Sequence, residues 1–130
     1  MKKIVIFIIL LSASLFAELD WAPSYEEGLA QAKAEHKTVM LMFSKKTCKI
    51  CNVMKATVYE NEEVAQYIEG LFVPIEIDIE LHPDKYGYGV FGTPTYYFLD
   101  SNGKQIGRMM MGGMTADVFL QKLKDVRKKN

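Results

Sequence analysis

The stretch TVMLMFSKKTCKICNVM, residues 38–54, joins a nearly continuous apolar run to the only two cysteines of the chain, Cys48 and Cys51. The apolar run from Thr38 to Phe43 predicts a central strand of a mainly parallel sheet, because such strands are covered on both faces. After the first cysteine the chain continues through CKICNVMKATVY without glycine or proline, which favours a helix. The cysteine pair is therefore expected where a buried strand and a short loop lead into a helix.

Signals on both sides of this stretch predict further elements of an α/β domain. The sequence SYEE at 24–27 has the form of a capping box and predicts a helix that runs to His36. Apolar residues at helical spacing predict a second helix over 62–71. Strict alternation predicts a strand over 72–79, which Pro74 places near a sheet edge or a strand end.

The second half of the chain predicts a hairpin and a last helix. PTYYFLD at 94–100 and the segment 105–111 are predicted strands, and the Asn-Gly of SNGK at 101–104 is a strong signal for a tight turn between them. The segment 82–92 is predicted to be a loop, and Thr115 is expected to cap a final helix. A parallel strand pair followed by an antiparallel hairpin, with helices on both faces, makes a small α/β sandwich around a mixed sheet.

The composition is that of one domain with a hydrophobic core. The chain has 130 residues, of which 49% are hydrophobic and 12% aromatic, so its folding requires neither a disulfide nor a metal. Its 16 basic and 16 acidic residues give a formal net charge of zero, which argues against nucleic acid as a partner. The sequence shows no repeat or linker, and we expect a single domain that acts as a monomer.

The first residues, 1–17, predict a secretory signal peptide. MKKIVIFIILLSASLFA begins with two lysines after the methionine, continues with an unbroken apolar run, and ends in small residues at Ala17. The apolar segment is shorter than the roughly 18 residues that a membrane-spanning helix needs, so an uncleaved anchor is the less favoured alternative. We expect cleavage between Ala17 and Glu18, export to the periplasm, and a mature domain 18–130 with 14 basic against 16 acidic residues.

Two roles of the cysteine pair have little support. A structural bridge between Cys48 and Cys51 would close so short a loop that chain entropy provides about 2 kcal/mol at best, against about 3 for a loop of about 15 residues. A structural zinc site needs four ligands, and the chain has no second cysteine pair, while His36 and His82 stand far apart in sequence. We therefore expect no metal, and no cofactor other than the disulfide itself.

Copper(I) is a further alternative, because it accepts thiolate and thioether ligands and the chain has eight methionines. Met40, Met42 and the methionines at 109–111 fall in strands that are predicted to be buried, where methionine usually fills the core. A copper(I)-binding module, or a redox-inert adaptor of the same fold, stays open as the alternative function.

The favoured role of the pair is that of a redox-active dithiol. A cysteine at the start of a helix faces unpaired N–H groups and the positive end of the helix dipole. This position, with Lys45, Lys46 and Lys49 close in sequence, is expected to lower the pKa of Cys48 and to favour its thiolate. Cys51, one turn further into the helix, is expected to be more shielded and to resolve a mixed disulfide formed at the first cysteine.

With C-x-x-C at a strand-to-helix junction and GTPT at 92–95 before a later strand, the sequence resembles the thioredoxin-like superfamily and, within it, the exported thiol–disulfide oxidoreductases of bacteria. The matching segments are TVMLMFSKKTCKIC, VPIEIDI and VFGTPTYYFLDSNGKQIGRMMMGG. The resemblance implies a three-layer α/β sandwich, catalytic Cys48 and Cys51, and a cis-proline at Pro94 that faces them. It also implies that the backbone of Thr93 binds an extended substrate segment beside the first cysteine.

The sequence departs from thioredoxins proper around the cysteines. Thr47 stands where tryptophan is usual, Lys49-Ile50 replace Gly-Pro, and Met42 replaces a buried acid. Without that acid, the proton of Cys51 is expected to go to water, to a lysine such as Lys55, or to the substrate.

Within the superfamily, the resemblance favours a reductase. Only 42 residues separate Cys51 from Pro94, which leaves no room for the helical insertion of the strong periplasmic oxidase. No histidine lies between the cysteines to overstabilise a thiolate. We therefore expect a reductase of disulfides in exported proteins, with apocytochrome c among the candidate substrates, that receives electrons from a membrane thiol–disulfide carrier.

Overall fold

The computed structural model describes residues 18–130, so the signal peptide predicted over 1–17 lies outside the described part of the chain. The helices are α1 (Tyr25–Glu35), α2 (Lys49–Val53), α3 (Glu62–Leu71) and α4 (Ala116–Lys128), with a π-helical turn at Met54–Val58 and a 3-10 turn at Lys85–Gly87. The strands are β1 (Thr38–Ser44), β2 (Phe72–Asp78), β3 (Thr95–Leu99) and β4 (Met110–Met111). None of the described helices is long and apolar enough to cross a membrane.

The four strands form one mixed sheet in the order β2-β1-β3-β4. β1 pairs in parallel with β2 and antiparallel with β3, and β4 pairs antiparallel with β3. The connection from β1 to β2 runs through α2 and α3, because parallel neighbours need a crossover. β2 lies at the sheet edge, and Pro74 within it is tolerated there because no further strand needs its missing N–H.

Every residue of β1 is buried, because its alternating side chains enter two separate hydrophobic cores. Met40 and Met42 lie in the core that α2, α3 and α4 cover. Val39, Leu41 and Phe43 lie in the opposite core, which α1 and the loop before β3 cover. The sheet is therefore the middle of three layers, and the predicted α/β sandwich with a central mixed sheet is confirmed.

The first helix begins at the predicted capping box. The Oγ of Ser24 accepts a hydrogen bond from the N–H of Glu27 at 3.1 Å and donates one to the Glu27 carboxylate at 3.0 Å. These bonds satisfy a donor that the first helical turn leaves unpaired. The helix ends at Glu35, and its C-cap His36 adopts a left-handed conformation with φ of 54°.

The segment after Cys48 is helical, as the sequence predicts, but its second half is wider than an α-helix. The N–H of Tyr59 donates to the carbonyl of Met54, five residues earlier, at 3.0 Å. Tyr59 thereby packs against the sheet, where its hydroxyl donates to the Sδ of Met42 at 3.2 Å and hydrogen-bonds the hydroxyl of Tyr96. A polar contact thus forms inside an otherwise apolar layer.

The prediction of a continuous strand over 105–111 is wrong. The Asn-Gly turn before it forms, but regular pairing stops after a single bridge between Leu99 and Gln105. Gly107 then adopts φ of 67°, a left-handed conformation that takes the backbone out of the strand. Only Met110–Met111 pairs with β3 again.

This break also corrects the expectation that the methionines at 109–111 lie in a buried strand. Met109 and Met110 are half-buried, and Met111 is 55% exposed. The reason is that β4 has only two residues and lies at the edge of the described sheet, so Met110 packs partly against the core while Met111 points to solvent. The methionines of β1, in contrast, are fully buried as predicted.

The buried tyrosines make the fold sensitive to alkaline pH. A tyrosine ordinarily titrates near pH 10.0, and burial raises the pKa of Tyr59 and of Tyr96 above this value in the folded domain. Their contribution to the free energy of unfolding is therefore complete below about pH 10 and is lost above it, by about 1.4 kcal/mol per pH unit for each tyrosine, because the unfolded chain releases these protons first. Urea unfolding at about pH 9 and about pH 11 measures this loss.

The variant Tyr96→Phe tests the origin of that loss. Phenylalanine has no proton to release, so the decrease in stability between the two pH values should be smaller than in the unchanged protein. An equal decrease in both proteins would contradict the assignment.

Candidate active site

Cys48 is the N-cap of α2. After β1 ends, the N–H of Cys48 donates to the carbonyl of Lys45 at 3.1 Å, which closes a tight turn before the helix. Cys48 keeps an extended conformation, and its Sγ accepts a hydrogen bond from the N–H of Cys51 at 3.1 Å. The sulfur therefore meets an N–H at the positive end of the helix, the position that the sequence predicts for it.

The two cysteines form a disulfide, with 5.3 Å between their Cα atoms. The two cysteines differ in exposure: 7% of the surface of Cys48 is accessible, whereas Cys51 is fully buried. Of the two residues, only the first therefore presents any surface to another molecule.

The loop before β3 comes against Cys48. The Thr93–Pro94 peptide bond is cis, and the carbonyl oxygen of Thr93 lies 3.5 Å from the Sγ of Cys48. The carbonyl of Pro94 accepts a hydrogen bond from the N–H of Gly112 at 2.9 Å, which ties the loop to the chain beyond β4. The structure thus brings both predicted substrate-binding residues beside the predicted nucleophile.

The three predicted supporting lysines flank Cys48 in the sequence. Lys45 is half-buried, and Lys46 and Lys49 are exposed. Within residues 18–130, none of their ammonium groups forms an ion pair or a hydrogen bond to a side chain. Their predicted effect on the sulfur of Cys48 stays a prediction.

An apolar groove of about 480 Å³ opens next to the disulfide and was not predicted. It lies between α2 with the π-helical turn on one side and the segment after β4 on the other. Its lining residues are Ile50, Val53, Met54, Thr57, Thr93, Gly112, Gly113, Met114 and Thr115. Ile50 and Val53 are about half exposed there, with 49% and 53% of their surface accessible. The sequence signal for this groove is a pair of apolar residues, Ile50 and Val53, three positions apart on the helix after Cys48.

A carboxylate on the cysteine side of the sheet was also not predicted from the sequence. Glu76 of β2 pairs in register with Met42 of β1, and its side chain forms an ion pair with Lys55. A carboxylate is therefore present on the cysteine side of the sheet, on β2 and not on β1. The available signal was a charged residue within the apolar segment VPIEIDI.

Metal ligands other than the two cysteines do not gather in the described residues. No group of three or more His, Cys, Asp or Glu side chains within residues 18–130 could hold a metal ion. The thioether of Met54, at the base of the groove, accepts a hydrogen bond from the N–H of Met114 at 3.4 Å. The site is thus built from a dithiol, a backbone carbonyl and an apolar groove.

Comparison with known proteins places this geometry in a family. A family model described as a thioredoxin-like domain matches residues 25–127. Disulfide bond reductase DsbH of Chlamydia pneumoniae is 27% identical over 125 residues, which cover 86% of this chain and 75% of that protein. An uncharacterized protein of Caenorhabditis elegans is 36% identical over 66 residues, which cover 51% of this chain but only 9% of that much longer protein.

A solved structure extends the similarity to three dimensions. A thioredoxin from Thermus thermophilus superposes with a TM-score of 0.73 and 30% identity, over 84% of this chain and 87% of that one. Together with the Cys48–Cys51 pair, the similarity to the disulfide bond reductase and to the thioredoxin supports a thiol–disulfide oxidoreductase. Since the family model covers most of the described residues, the chain belongs to the thioredoxin-like domain family.

Proposed function

We propose that this chain catalyses thiol–disulfide exchange on exported proteins, in the reducing direction. The observation that carries the proposal is the asymmetry of the pair: Cys48 can be approached from outside, and Cys51, which is bonded to it, cannot. One accessible and one enclosed sulfur are what an attacking thiol and a resolving thiol require. Membership of the thioredoxin-like family supports the same chemistry.

In the reduced protein, Cys48 is the attacking group. The N–H of Cys51 that points at its Sγ favours the thiolate over the thiol. The thiolate attacks one sulfur of the substrate disulfide, so that a bond between Cys48 and the substrate forms while the substrate S–S bond breaks. The other substrate sulfur leaves with the electron pair and takes up a proton.

Cys51 then resolves the mixed disulfide. Its thiol loses a proton and attacks the Sγ of Cys48, which forms the Cys48–Cys51 bond and releases the second substrate sulfur as a thiol. Two electrons have passed to the substrate, and the protein is left in the disulfide form that the structure contains. We assign its reduction to a membrane thiol–disulfide carrier, and the reaction needs no further cofactor.

Substrate positioning is assigned to the loop before β3 and to the groove. The backbone of Thr93, ahead of Pro94, offers a strand-like edge beside the Sγ of Cys48, where an extended segment of the substrate can pair. Next to this edge, the groove between Ile50 and Gly113 accepts an apolar side chain that neighbours the substrate cysteine. We assign to Lys45, Lys46 and Lys49, which flank Cys48 in the sequence, a positive field that favours its thiolate.

The direction and the location belong to this proposal. The named activity of the relative from Chlamydia pneumoniae, a disulfide bond reductase, supports reduction. The predicted signal peptide supports export, and we propose that the domain acts in the periplasm as a monomer. Apocytochrome c is one candidate among the exported disulfide-containing substrates.

Replacement of Cys51 by alanine should trap substrates. A mixed disulfide at Cys48 then has no resolving thiol, so thiol-labile adducts should accumulate with exported proteins. Non-reducing electrophoresis of the exported fraction, followed by mass spectrometry, detects and identifies them. The double variant Cys48→Ala/Cys51→Ala is the matched control and should trap nothing. Absence of adducts from the single variant would refute the mechanism.

Gly113→Ala should weaken the binding of protein substrates. An added Cβ would lie 2.6 Å from Cγ2 of Ile50, so the groove must narrow. We expect KM for a protein disulfide to rise about threefold or more, which corresponds to about 0.7 kcal/mol, while the rate with a small disulfide stays unchanged. Gly70→Ala is the control, because an added Cβ there meets no atom within 4 Å. Equal KM values for both variants would argue against the groove.

The reduction potential of the Cys48–Cys51 couple tests the direction of exchange. Equilibration with a thiol–disulfide buffer, followed by alkylation of free thiols, measures it. We expect a value near about −270 mV, as in reducing members of the family, whereas a value near about −120 mV is that of an oxidant. The oxidising value would overturn the direction and leave the exchange chemistry intact.

A further inference from the structure

The ion pair between Lys55 and Glu76 lies on the cysteine side of the sheet. The Nζ of Lys55 contacts the Oε2 of Glu76, and the two side chains are 40% and 30% exposed. The Oε2 atom itself is buried, and the contact does not have the geometry of a directed hydrogen bond. The carboxylate is thus held by charge and keeps a free acceptor position inside the protein.

The carboxylate faces the same layer as the buried thiol. Residues paired in register on parallel strands point to the same face of a sheet, so Glu76 shares the face of Met42. Met42 belongs to the core that contains Cys51. Lys55 stands four residues after Cys51 in the helical segment, and residues at this spacing lie on one side of a helix. Its bond to Glu76 therefore fixes the carboxylate between the sheet and the helix that carries the thiol.

The other titratable groups around this layer are poor proton acceptors. Tyr59, from the end of the π-helical turn, and Tyr96, from β3, are neutral phenols, since burial raises the pKa of both. Lys55 is a cation without a lone pair to offer. Asp78, two residues further along β2, uses its Oδ1 to accept a backbone N–H of the following loop. The carboxylates of α3 and α4 are directed elsewhere: Glu62, Glu63, Glu69 and Asp117 are exposed, and Asp125 is bound by Gln121 and Lys128. Within residues 18–130, Glu76 is therefore the remaining carboxylate with an oxygen buried in this layer.

A buried thiol needs such an acceptor. Cys51 has no exposed surface, so solvent does not reach it directly. Enclosure in apolar surroundings disfavours the thiolate, and the thiolate is the form that attacks. The proton must therefore be taken from inside the protein when the mixed disulfide is resolved.

We infer that Glu76, held in place by Lys55, accepts the proton of the Cys51 thiol during resolution; this inference rests on the exchange reaction proposed above. As the proton moves to Glu76, the sulfur of Cys51 attacks the Sγ of Cys48. The Cys48–Cys51 bond forms, and the bond from Cys48 to the substrate breaks. The substrate thiolate leaves with the electron pair and takes the proton back from Glu76, which returns to its carboxylate form.

Ellman's reagent separates the two steps in the purified, reduced protein. Attack of Cys48 on the reagent releases one coloured thiol at a rate that depends on reagent concentration. Attack of Cys51 on the resulting mixed disulfide releases a second one at a rate that does not. Stopped-flow absorbance between about pH 6 and about pH 10 follows both phases, and no protein substrate is needed.

The variant Glu76→Gln should slow the second phase about tenfold or more at pH 7 and leave the first phase within about twofold. The difference should shrink toward the alkaline end of this range, because a larger fraction of the thiol is then ionised without an internal acceptor. Loss of a nearby negative charge by itself lowers the pKa of Cys51 and would accelerate the second phase. A slower second phase therefore reports the missing acceptor.

Two further variants separate proton transfer from packing. Glu76→Asp keeps a carboxylate and should recover most of the rate of the second phase. Glu63→Gln makes the same change of charge at an exposed position on α3 and should leave both phases unchanged.

Specific results would overturn the inference. A second phase in Glu76→Gln that equals or exceeds the normal rate at every pH removes the role of Glu76, as does a Glu76→Asp variant as slow as Glu76→Gln. If Glu76→Gln slows the second phase but Cys51→Ala traps no exported protein, the proposed function fails and the proton acceptor stands.

Discussion

The active site depends on the burial of β1 on both faces. A strand whose alternate side chains fill two different cores cannot slip by one residue, because every side chain would then enter the wrong core. The end of β1 at Ser44 is therefore fixed, and so is the short loop that starts α2. β3 pairs with the same strand, which fixes the loop before it as well. The 3.5 Å approach of the Thr93 carbonyl to the sulfur of Cys48 follows from packing remote from either atom.

The start of α2 places the two cysteines in opposite environments. At the N-cap, the sulfur of Cys48 receives an N–H and is suited to carry negative charge. One turn later, Cys51 lies against the sheet, where burial keeps a thiol neutral. A spacing of three residues is enough to separate attack from resolution, because one turn of helix leads from the rim of the domain to its core. A partly exposed carboxylate with one buried oxygen, that of Glu76, is then of use only to the second sulfur.

Elements whose signals are local were predictable from the sequence. The capping box at Ser24, the apolar run of β1 and the position of Cys48 before a helix each depend on residues within one turn or strand, and the structure contains all three. The prediction of a strand over 105–111 was wrong because Gly107 adopts a left-handed conformation, which interrupts the strand despite the apolar residues around it. An apolar run indicates which side chains avoid water but does not indicate where the backbone turns.

The missed parts of the site are those that pair residues distant in sequence. In the sequence, Glu76 is one charged residue in a predicted strand. Its position on the cysteine side of the sheet depends on the register between β1 and β2. The groove requires that Gly113 lie against Ile50. These two residues are distant in sequence, and the folded sheet brings them together. No local pattern contains these distances, so the sequence indicates the dithiol but not its surroundings.

The close approach of Ile50 to Gly113 connects the surroundings of the disulfide with the shape of the groove. Ile50 lies between the two cysteines, so any substitution there changes the local field and the shape around the disulfide. It also forms one wall of the groove. A single change at this position therefore alters both the surroundings of the disulfide and the shape of the groove beside it.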